Sequence, residues 1–261
     1  GVNNSFVAGG IFAQARNALL DPANFGPGGV VPRGVQPRSG LTTVTTENLT
    51  GVDVFVLNPI SPELSDTEVG VLEQFVQEGG VLLEVRNVFS NRPLLLGTFP
   101  GPFVGDGTAD LTPAGRDSPL AQGPFGVVGS PLATGANGAY ATTGFATVIA
   151  RNDLGPNVLL LQPAPGFSGT GRAVLIGDEE IFASGFVTGG SNHFAANRTF
   201  FLNTFAFAAG APGFRPSSPV PGVAVAYQAS SGDFSRLVRN SDGTFTRTLK
   251  DGTKIHFNAQ G

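Results

Sequence analysis

The apolar and polar positions of residues 52–87 predict a strand, a helix and a second strand. An apolar run at 52–57 stops at an Asn-Pro pair. Ser65 and Glu68 then have the spacing of a capping box, in which each side chain binds a backbone N–H group at the start of a helix. The pattern therefore places a helix start directly after a buried strand.

The helix that follows is amphipathic and ends at a double glycine. Val69, Leu72, Phe75 and Val76 recur at helical spacing and share one face. The glycines at 79–80 can adopt the left-handed conformation of a helix C-terminus, and the apolar run 81–85 predicts the next strand. This is one strand–helix–strand unit of an α/β domain.

Apolar patterns elsewhere predict further elements of the same domain. We expect helices at 11–20 and 197–209, the second with Phe200, Phe201, Phe205 and Ala208 facing inward. The predicted strands are 41–45, 146–150, 158–162 and 171–178, and the region 92–140 is expected to form short strands or an inserted antiparallel layer. The run at 171–178 is continuously apolar, which is typical of a parallel strand that helices cover on both faces.

The C-terminal segment differs from the rest of the chain in its composition, turn signals and charge. Residues 211–222 are rich in proline and predict a linker between an α/β domain, 1–210, and a second region, 223–261. Asp-Gly turns at 242–243 and 251–252 divide that region into three short predicted strands, 234–239, 244–249 and 253–257. It is mildly basic, whereas the rest of the chain is acidic. So small a β-meander is marginal alone, and we expect it to dock on the main domain or on another chain.

Two family resemblances rest on particular residues. The run from Asp53 to Pro59, the helix from Glu68 to Gly80, the strand from Gly171 to Asp178 and the Asn197–Asn203 motif resemble the class I glutamine-amidotransferase-like fold. The likeness is to non-catalytic relatives beside transport and gliding-motility machinery. It implies a flavodoxin-like, mostly parallel sheet with helices on both faces, followed here by a small C-terminal antiparallel β-meander.

The amidotransferase resemblance also argues against that activity. Active members use a cysteine nucleophile and a histidine and glutamate after a later strand. This chain has no cysteine, and its late strand ends in Gly177, Asp178 and Glu179 without a histidine.

The second resemblance lies in the C-terminal region. Residues 232–261 are similar to the opening of an RHS/YD-type repeat array, a family whose repeats build large secreted β-shells.

Composition narrows the function further. Among 261 residues there is no cysteine and no methionine, 13% are charged, and the net charge is −4. Disulfides and thiolate catalysis are thereby excluded, and a nucleic-acid partner is not expected without clustered basic residues. No apolar run is long enough to span a bilayer. The missing methionine predicts a processed or excised piece of a longer precursor. The absence of cysteine favours a secreted bacterial product, outside the cell or at its surface, over a piece cut from a cytosolic parent.

Candidate chemistry is sparse. Asp178, Glu179 and Glu180 follow a buried strand, where ligands sit in open α/β sheets, and their oxygens suit Ca²⁺ or Mg²⁺. The alternative is that Asp178 caps the next turn while the glutamates face water, and this alternative is favoured. His193 and His256 have no recognisable catalytic partners, and Ser168 and Ser191 lack a nucleophile-elbow context.

The expected function is therefore a non-catalytic structural or interaction module that associates through β-strand addition, into a multimer or a fibre. Its partner would be itself or another part of the precursor, and a glycan is possible. We expect no cofactor and no catalytic residue. One alternative is a carbohydrate-active or other hydrolase with an acidic site at Asp178, Glu179 and His193. Another is a ligand-binding domain without chemistry, whose pocket at the C-terminal edge of the sheet lacks an acid/base pair. The residues expected to carry the interaction are Phe234, Phe245, Lys250, Lys254 and Phe257, and exposed Phe99, Phe103 or Phe125 would mark a second interface.

Overall fold

A computed structural model describes most of the chain as two compact units, Gly1–Pro216 and Ser217–Gly261. The residues that it describes are 10, 12–38, 41, 43–57, 64–86, 95–104, 107–129, 131–134, 137–165, 167–183, 192–211, 213, 225–228, 236–239, 244–249 and 251–257.

The first unit contains five helices and eleven strands within its described residues. The helices are α1 (Ala13–Leu20), α2 (Thr46–Leu49), α3 (Asp66–Gln77), α4 (Pro113–Arg116) and α5 (Asn192–Ala209), and a 3-10 turn spans Glu179–Phe182. The strands are β1 (Val54–Leu57), β2 (Val81–Val85), β3 (Thr98–Val104), β4 (Gly107–Leu111), β5 (Gln122–Gly123), β6 (Gly126–Val127), β7 (Leu132–Thr134), β8 (Asn137–Thr143), β9 (Thr147–Asn152), β10 (Gly155–Leu161) and β11 (Arg172–Ile176).

Seven of these strands form one sheet in the order β1-β2-β11-β10-β9-β4-β7. β1, β2 and β11 are parallel, because α3 carries the chain back across the sheet between β1 and β2. The strands from β11 to β7 pair antiparallel. A tight turn, Asp153-Leu154, joins β9 to β10 and leaves no room for a crossover. The predicted α/β class is confirmed, and the sheet combines a parallel and an antiparallel part.

Helix α3 forms as its sequence predicts. The Ser65 side chain accepts from the Glu68 backbone N–H, and the Glu68 carboxylate accepts from the Ser65 backbone N–H at 3.0 Å. Gly79 adopts a φ of 104° just past the C-terminus, a conformation that favours glycine. The four predicted apolar positions, Val69, Leu72, Phe75 and Val76, are all buried.

The sheet separates two apolar cores, so helices cover both of its faces. One core receives α1 and α5, including Phe200 and Phe201, and the other receives α2 and α3. Successive β2 residues alternate between them, with Leu83 in the first core and Leu82 in the second. This two-sided cover explains the continuous apolar runs of β2 and β11.

The prediction of a strand at 41–45 is wrong for the described residues of that segment. Thr45 is instead the N-cap of α2, and its side chain accepts from the Asn48 backbone N–H at 3.1 Å. The Val44 backbone N–H donates to Glu68 Oε1 at 3.1 Å. Local side-chain capping here outweighs the β propensity of a Thr-rich segment.

The second unit contains a four-stranded antiparallel meander of β12 (Val225–Gln228), β13 (Arg236–Arg239), β14 (Phe245–Thr248) and β15 (Lys254–Phe257), in that order. The three predicted strands are present together with β12. The Thr253 backbone N–H donates to Asp251 Oδ1 at 2.9 Å in the β14–β15 turn and lowers the pKa of that carboxyl. The other predicted turn, 242–243, lies outside the described residues.

Candidate functional site

Buried polar side chains gather where the parallel strands β2 and β11 end, the usual position of a ligand in an open α/β sheet. We call them the strand-end cluster, and each is at most 9% exposed. Its members come from four separate segments of the chain: Glu84, Arg86, Tyr140, Asn157, Asp178 and Glu179. Such a concentration of buried charge makes this the first place to look for chemistry.

Three of these side chains connect β2 to β8. The Tyr140 hydroxyl donates to Glu84 Oε2 at 3.2 Å. The Arg86 guanidinium lies 5.4 Å from the Tyr140 ring centroid and donates through Nη1 to the Ala139 carbonyl oxygen at 3.4 Å. The charged groups therefore face a strand of the same unit.

Asn157 connects the same strand to β10. Its Nδ2 donates to the Gly138 carbonyl oxygen at 2.6 Å, while the Gly177 backbone N–H donates to the Asn157 carbonyl oxygen at 2.8 Å. A Cβ atom at Gly177 would lie only 2.7 Å from the Gly138 carbonyl oxygen. β8 thus lies directly against the ends of β10 and β11, and residues 138–140 occupy the position of a ligand.

The three acidic candidates do not form a metal site. Asp178 Oδ1 accepts from the Glu180 backbone N–H at 2.9 Å and caps the 3-10 turn, as the favoured alternative predicts. Glu179, however, is only 9% exposed, and its backbone N–H donates to the Arg86 carbonyl oxygen. The expectation that both glutamates face water is therefore wrong for Glu179, because the turn packs onto the sheet through buried Ile181 and Phe182. Within the described residues no group of acidic and histidine side chains could hold a metal ion.

The other candidates lie apart or outside the described part of the chain. The backbone of His193 belongs to the first turn of α5, and His256 lies on β15, where its Nδ1 is 3.0 Å from Thr246 Oγ1. Ser168 is in the segment before β11, and Ser191 is outside the described residues.

The five predicted interaction residues all belong to the second unit. Phe234 and Lys250 lie outside the described residues, as does the side chain of Phe245, whose backbone begins β14. Lys254 and Phe257 are the first and last residues of β15; Lys254 is exposed and Phe257 is half-buried. Their part in an interaction stays a prediction.

Aromatic residues of the irregular middle region behave differently from one another. Phe99, on β3, is 45% exposed. Phe125 packs against Phe25 with ring centroids 5.4 Å apart, and it is only partly exposed. The side chain of Phe103 lies outside the described residues.

An open depression of about 660 Å³ lies beside β4, α4 and β9. Half of its lining residues are aliphatic or proline, and its only titratable side chains are Asp110 and Arg151, from paired positions of β4 and β9. It contains neither a nucleophile with a base nor a pair of carboxylates, so it offers no catalytic constellation.

Two buried asparagines of α5 have roles that sequence reasoning missed. Asn197 Oδ1 accepts from the Ala133 backbone N–H at 2.9 Å, and its Nδ2 donates to the Ala133 carbonyl oxygen at 2.9 Å. Asn203 accepts from the Phe125 N–H and donates to the Gly126 carbonyl oxygen, each at 3.0 Å. Polar residues on the inward face of an apolar helix were the available signal, because a buried amide must find partners.

The side chains of the meander that the structure describes, on and beside β14 and β15, remain accessible. At 244, 246–249 and 251–257 every described side chain is half-buried or exposed. Ile255 is 38% exposed although it is apolar. A sheet needs a covered apolar face for independent stability, so this surface is the strongest candidate for an interface.

Sequence comparisons identify no relative: no protein-family model matches the chain, and no curated protein matches it. Within the described residues, no helix has both the length and the apolar character needed to cross a membrane.

Solved structures show a likeness of fold. The N-terminal domain of mmIFT52 is 12% identical with a TM-score of 0.51, over 68% of this chain and 85% of that one. A cytoplasmic protein from Salmonella typhimurium is 12% identical with a TM-score of 0.42, over 62% of this chain and 76% of that one. A β-galactosidase from Rahnella sp. R3 is 15% identical with a TM-score of 0.39, over 80% of this chain and 31% of that one. At these identities only the likeness to the mmIFT52 domain is informative, and it concerns the fold alone.

Proposed function

We propose that this chain is a non-catalytic structural or interaction module of an extracellular or cell-surface protein, and that the meander is its connector. One observation carries the proposal: none of the described side chains of the meander is buried within it. A small sheet whose described side chains are not buried gains stability when a partner covers a face or extends an edge. The partner would be another copy or another part of a larger precursor.

The strand-end cluster supports the non-catalytic part of the proposal. Residues 138–140 of β8 lie where a substrate would sit, and that strand is bound by the buried side chains of Glu84, Arg86 and Asn157. Buried polar networks of this kind fix one arrangement of the core. The charges of the cluster are in this view structural.

The proposal includes a finer description of both units. The parallel strands β1, β2 and β11 with α3 support a flavodoxin-like, amidotransferase-like origin for the first unit. The Asp-Gly turn before β15 supports an RHS/YD-like origin for the second. The alternative of a hydrolase at Asp178 stays a prediction, and no contact described above favours it.

Hydrogen exchange of the full chain tests the connector role. Amides of β2, which is buried along its whole length, are expected to exchange slowly at every protein concentration. Amides of the meander are expected to exchange fast in dilute solution and to become protected when the chain associates or meets its partner. A meander as well protected as β2 in a dilute monomer would contradict the proposal, because the layer would then need no partner.

A truncated chain ending at Pro216 supplies the matching mass measurement. Light scattering over a concentration series is expected to show association for the full chain and a monomer for the truncated one. If both chains associate equally, the connector lies in the first unit and the proposal is wrong.

A further inference from the structure

We propose that the connector pairs two copies of this chain through the open edge of β15, antiparallel and around a two-fold axis at Ile255. The inference rests on the proposed function and adds to it the identity of the partner, the strand and the register. Its evidence is the backbone geometry and the residue order of β15.

The hydrogen-bonding phase of the β14–β15 hairpin shows which backbone groups face the open edge. The Leu249 backbone N–H donates to the Thr253 carbonyl oxygen at 2.8 Å, which makes this a hydrogen-bonded pair. Such pairs recur at every second position, so Ile255 is bonded to Arg247 of β14. The N–H and C=O groups of Lys254 and His256 therefore point away from β14. Within the described strands β15 is the last of its sheet, and this edge has no neighbour.

The outward groups are self-complementary in one register. With the axis at Ile255, Lys254 of one copy lies opposite His256 of the other, and each such pair exchanges two N–H···O=C bonds. An axis at Lys254 would instead place two ammonium groups directly opposite each other, which is destabilising. The Ile255 register pairs both outward-facing residues within the described strand.

The same register buries apolar surface. Ile255 would face its own counterpart in a non-hydrogen-bonded pair, whose Cα atoms are about 4.5 Å apart. Ile255 is 38% exposed in the single chain, and it shares its face of β15 with half-buried Phe257. Only a short strand is paired, so we expect a weak dimer that is populated at high concentration.

Edge strand β7 of the first unit is less suited to pairing. The backbone N–H and C=O of Ala133, on edge strand β7, are both bound by the Asn197 side chain. A second copy would have to displace this buried amide. Pairing at β15 would displace no such side-chain contact among the described residues.

Cysteine cross-linking tests the register directly, because the chain has no cysteine of its own. In the Ile255 register, Ile255→Cys places two thiols in the closest cross-strand pair, whereas Lys254→Cys places them at diagonal positions about 7–8 Å apart. Under air oxidation of the full chain, we expect at least fivefold more covalent dimer from Ile255→Cys. Equal yields, or a larger yield from Lys254→Cys, would overturn the register.

A proline substitution tests whether the outward amide is used. Lys254→Pro removes an N–H that β14 does not bind, and proline is tolerated on an edge strand in this position. We expect it to reduce association at least tenfold in sedimentation equilibrium. Lys254→Ala, which keeps the N–H, should associate as the unsubstituted chain does; equal losses in both variants would overturn the role of the edge amide.

The mass of the assembly separates this inference from the proposed function. A two-fold contact closes at two copies, whereas pairing of β15 with β12 of the next copy would leave an open chain that grows with concentration. Growth beyond a dimer would overturn the two-fold register and leave the connector role intact. A monomer at every concentration whose meander amides exchange fast would overturn self-pairing and leave the connector role to another partner. A monomer whose meander is well protected would overturn both.

Discussion

The edge strands β7 and β15 differ in whether their outward-facing backbone N–H and C=O groups are bound. On β7, the Ala133 backbone N–H and C=O are bound by the Asn197 side chain from helix α5. On β15, the outward groups of Lys254 and His256 have no hydrogen-bond partner among the described residues. Unpaired edges invite further strands, and natural proteins cover the edges that must not pair. Within the described residues, the chain therefore binds the edge groups of Ala133 on β7 and leaves those of Lys254 and His256 on β15 unbound.

The first prediction compares one substitution in the two units. Phe200 is fully buried and its ring centroid lies 6.3 Å from that of Phe182, so Phe200→Ala should lower the free energy of unfolding of the first unit by about 3–5 kcal/mol. Phe257 is only half-buried, and Phe257→Ala should cost less than about 1 kcal/mol in a dilute monomer. Urea unfolding monitored by hydrogen exchange resolves both units. Similar costs would mean that the meander has a core of its own.

The second prediction concerns the edge of β7, where the Asn197 side chain binds the Ala133 backbone. Asn197→Ala leaves the N–H and C=O of Ala133 without their partner, and we expect a loss of about 3 kcal/mol in unfolding free energy together with concentration-dependent aggregation. Arg198→Ala, at the next and exposed position of α5, is the control and should change stability by less than about 0.5 kcal/mol. If Asn197→Ala remains monomeric, the amide is not what protects this edge.

A third prediction concerns the contact of β8 with the strand ends. Gly177→Ala forces a Cβ atom to within 2.7 Å of the Gly138 carbonyl oxygen, so backbone must move, at a cost of about 2 kcal/mol. Gly70→Ala is the matched control. It lies on α3 with open space around its Cβ position and should stabilise the unit by about 0.5–1 kcal/mol. Thermal unfolding of the two variants should therefore shift in opposite directions, and shifts of the same sign would contradict the close approach of β8.

The same comparison explains which features the sequence could predict. The capping box, the apolar face and the terminal glycines of α3 are local signals within a few residues of one another, and they agree. The antiparallel part of the sheet depends on distant pairings, such as β4 with β9, which hydrophobic periodicity does not encode. Sequence reasoning therefore predicted the parallel unit in detail and the middle region only as short strands.

The candidate site was less predictable than the fold for a related reason. Asp178 was a candidate ligand because it directly follows a buried strand, β11. The strand that lies against this end of β11 is β8, which comes from a Gly-rich segment with no clear pattern. Arg86, Tyr140 and Asn157 meet there from three separate strands or strand ends, and no spacing in the sequence links them. Only a long-range packing argument could have found that the position is occupied.

The last prediction has the smallest expected effect. It concerns the contact of the Glu68 carboxylate with the start of α3, and its loss at acidic pH. Backbone hydrogen bonding from Ser65, aided by the Val44 N–H, lowers the pKa of Glu68 below its usual value despite partial burial, which acts in the opposite direction. The folded state thus favours the carboxylate, so this contribution is present above the unfolded-state pKa and is lost as the pH falls through the lower folded-state pKa. Glu68→Gln should cost about 1 kcal/mol at neutral pH and less at an acidic pH well below the usual glutamate pKa of about 4.3, because protonation weakens the contact there. Urea unfolding at the two pH values measures this difference. If Glu68→Gln costs the same unfolding free energy at both pH values, the loss comes from packing of the side chain. The negative charge of Glu68 would then contribute nothing to the capping box that the glutamine amide cannot supply.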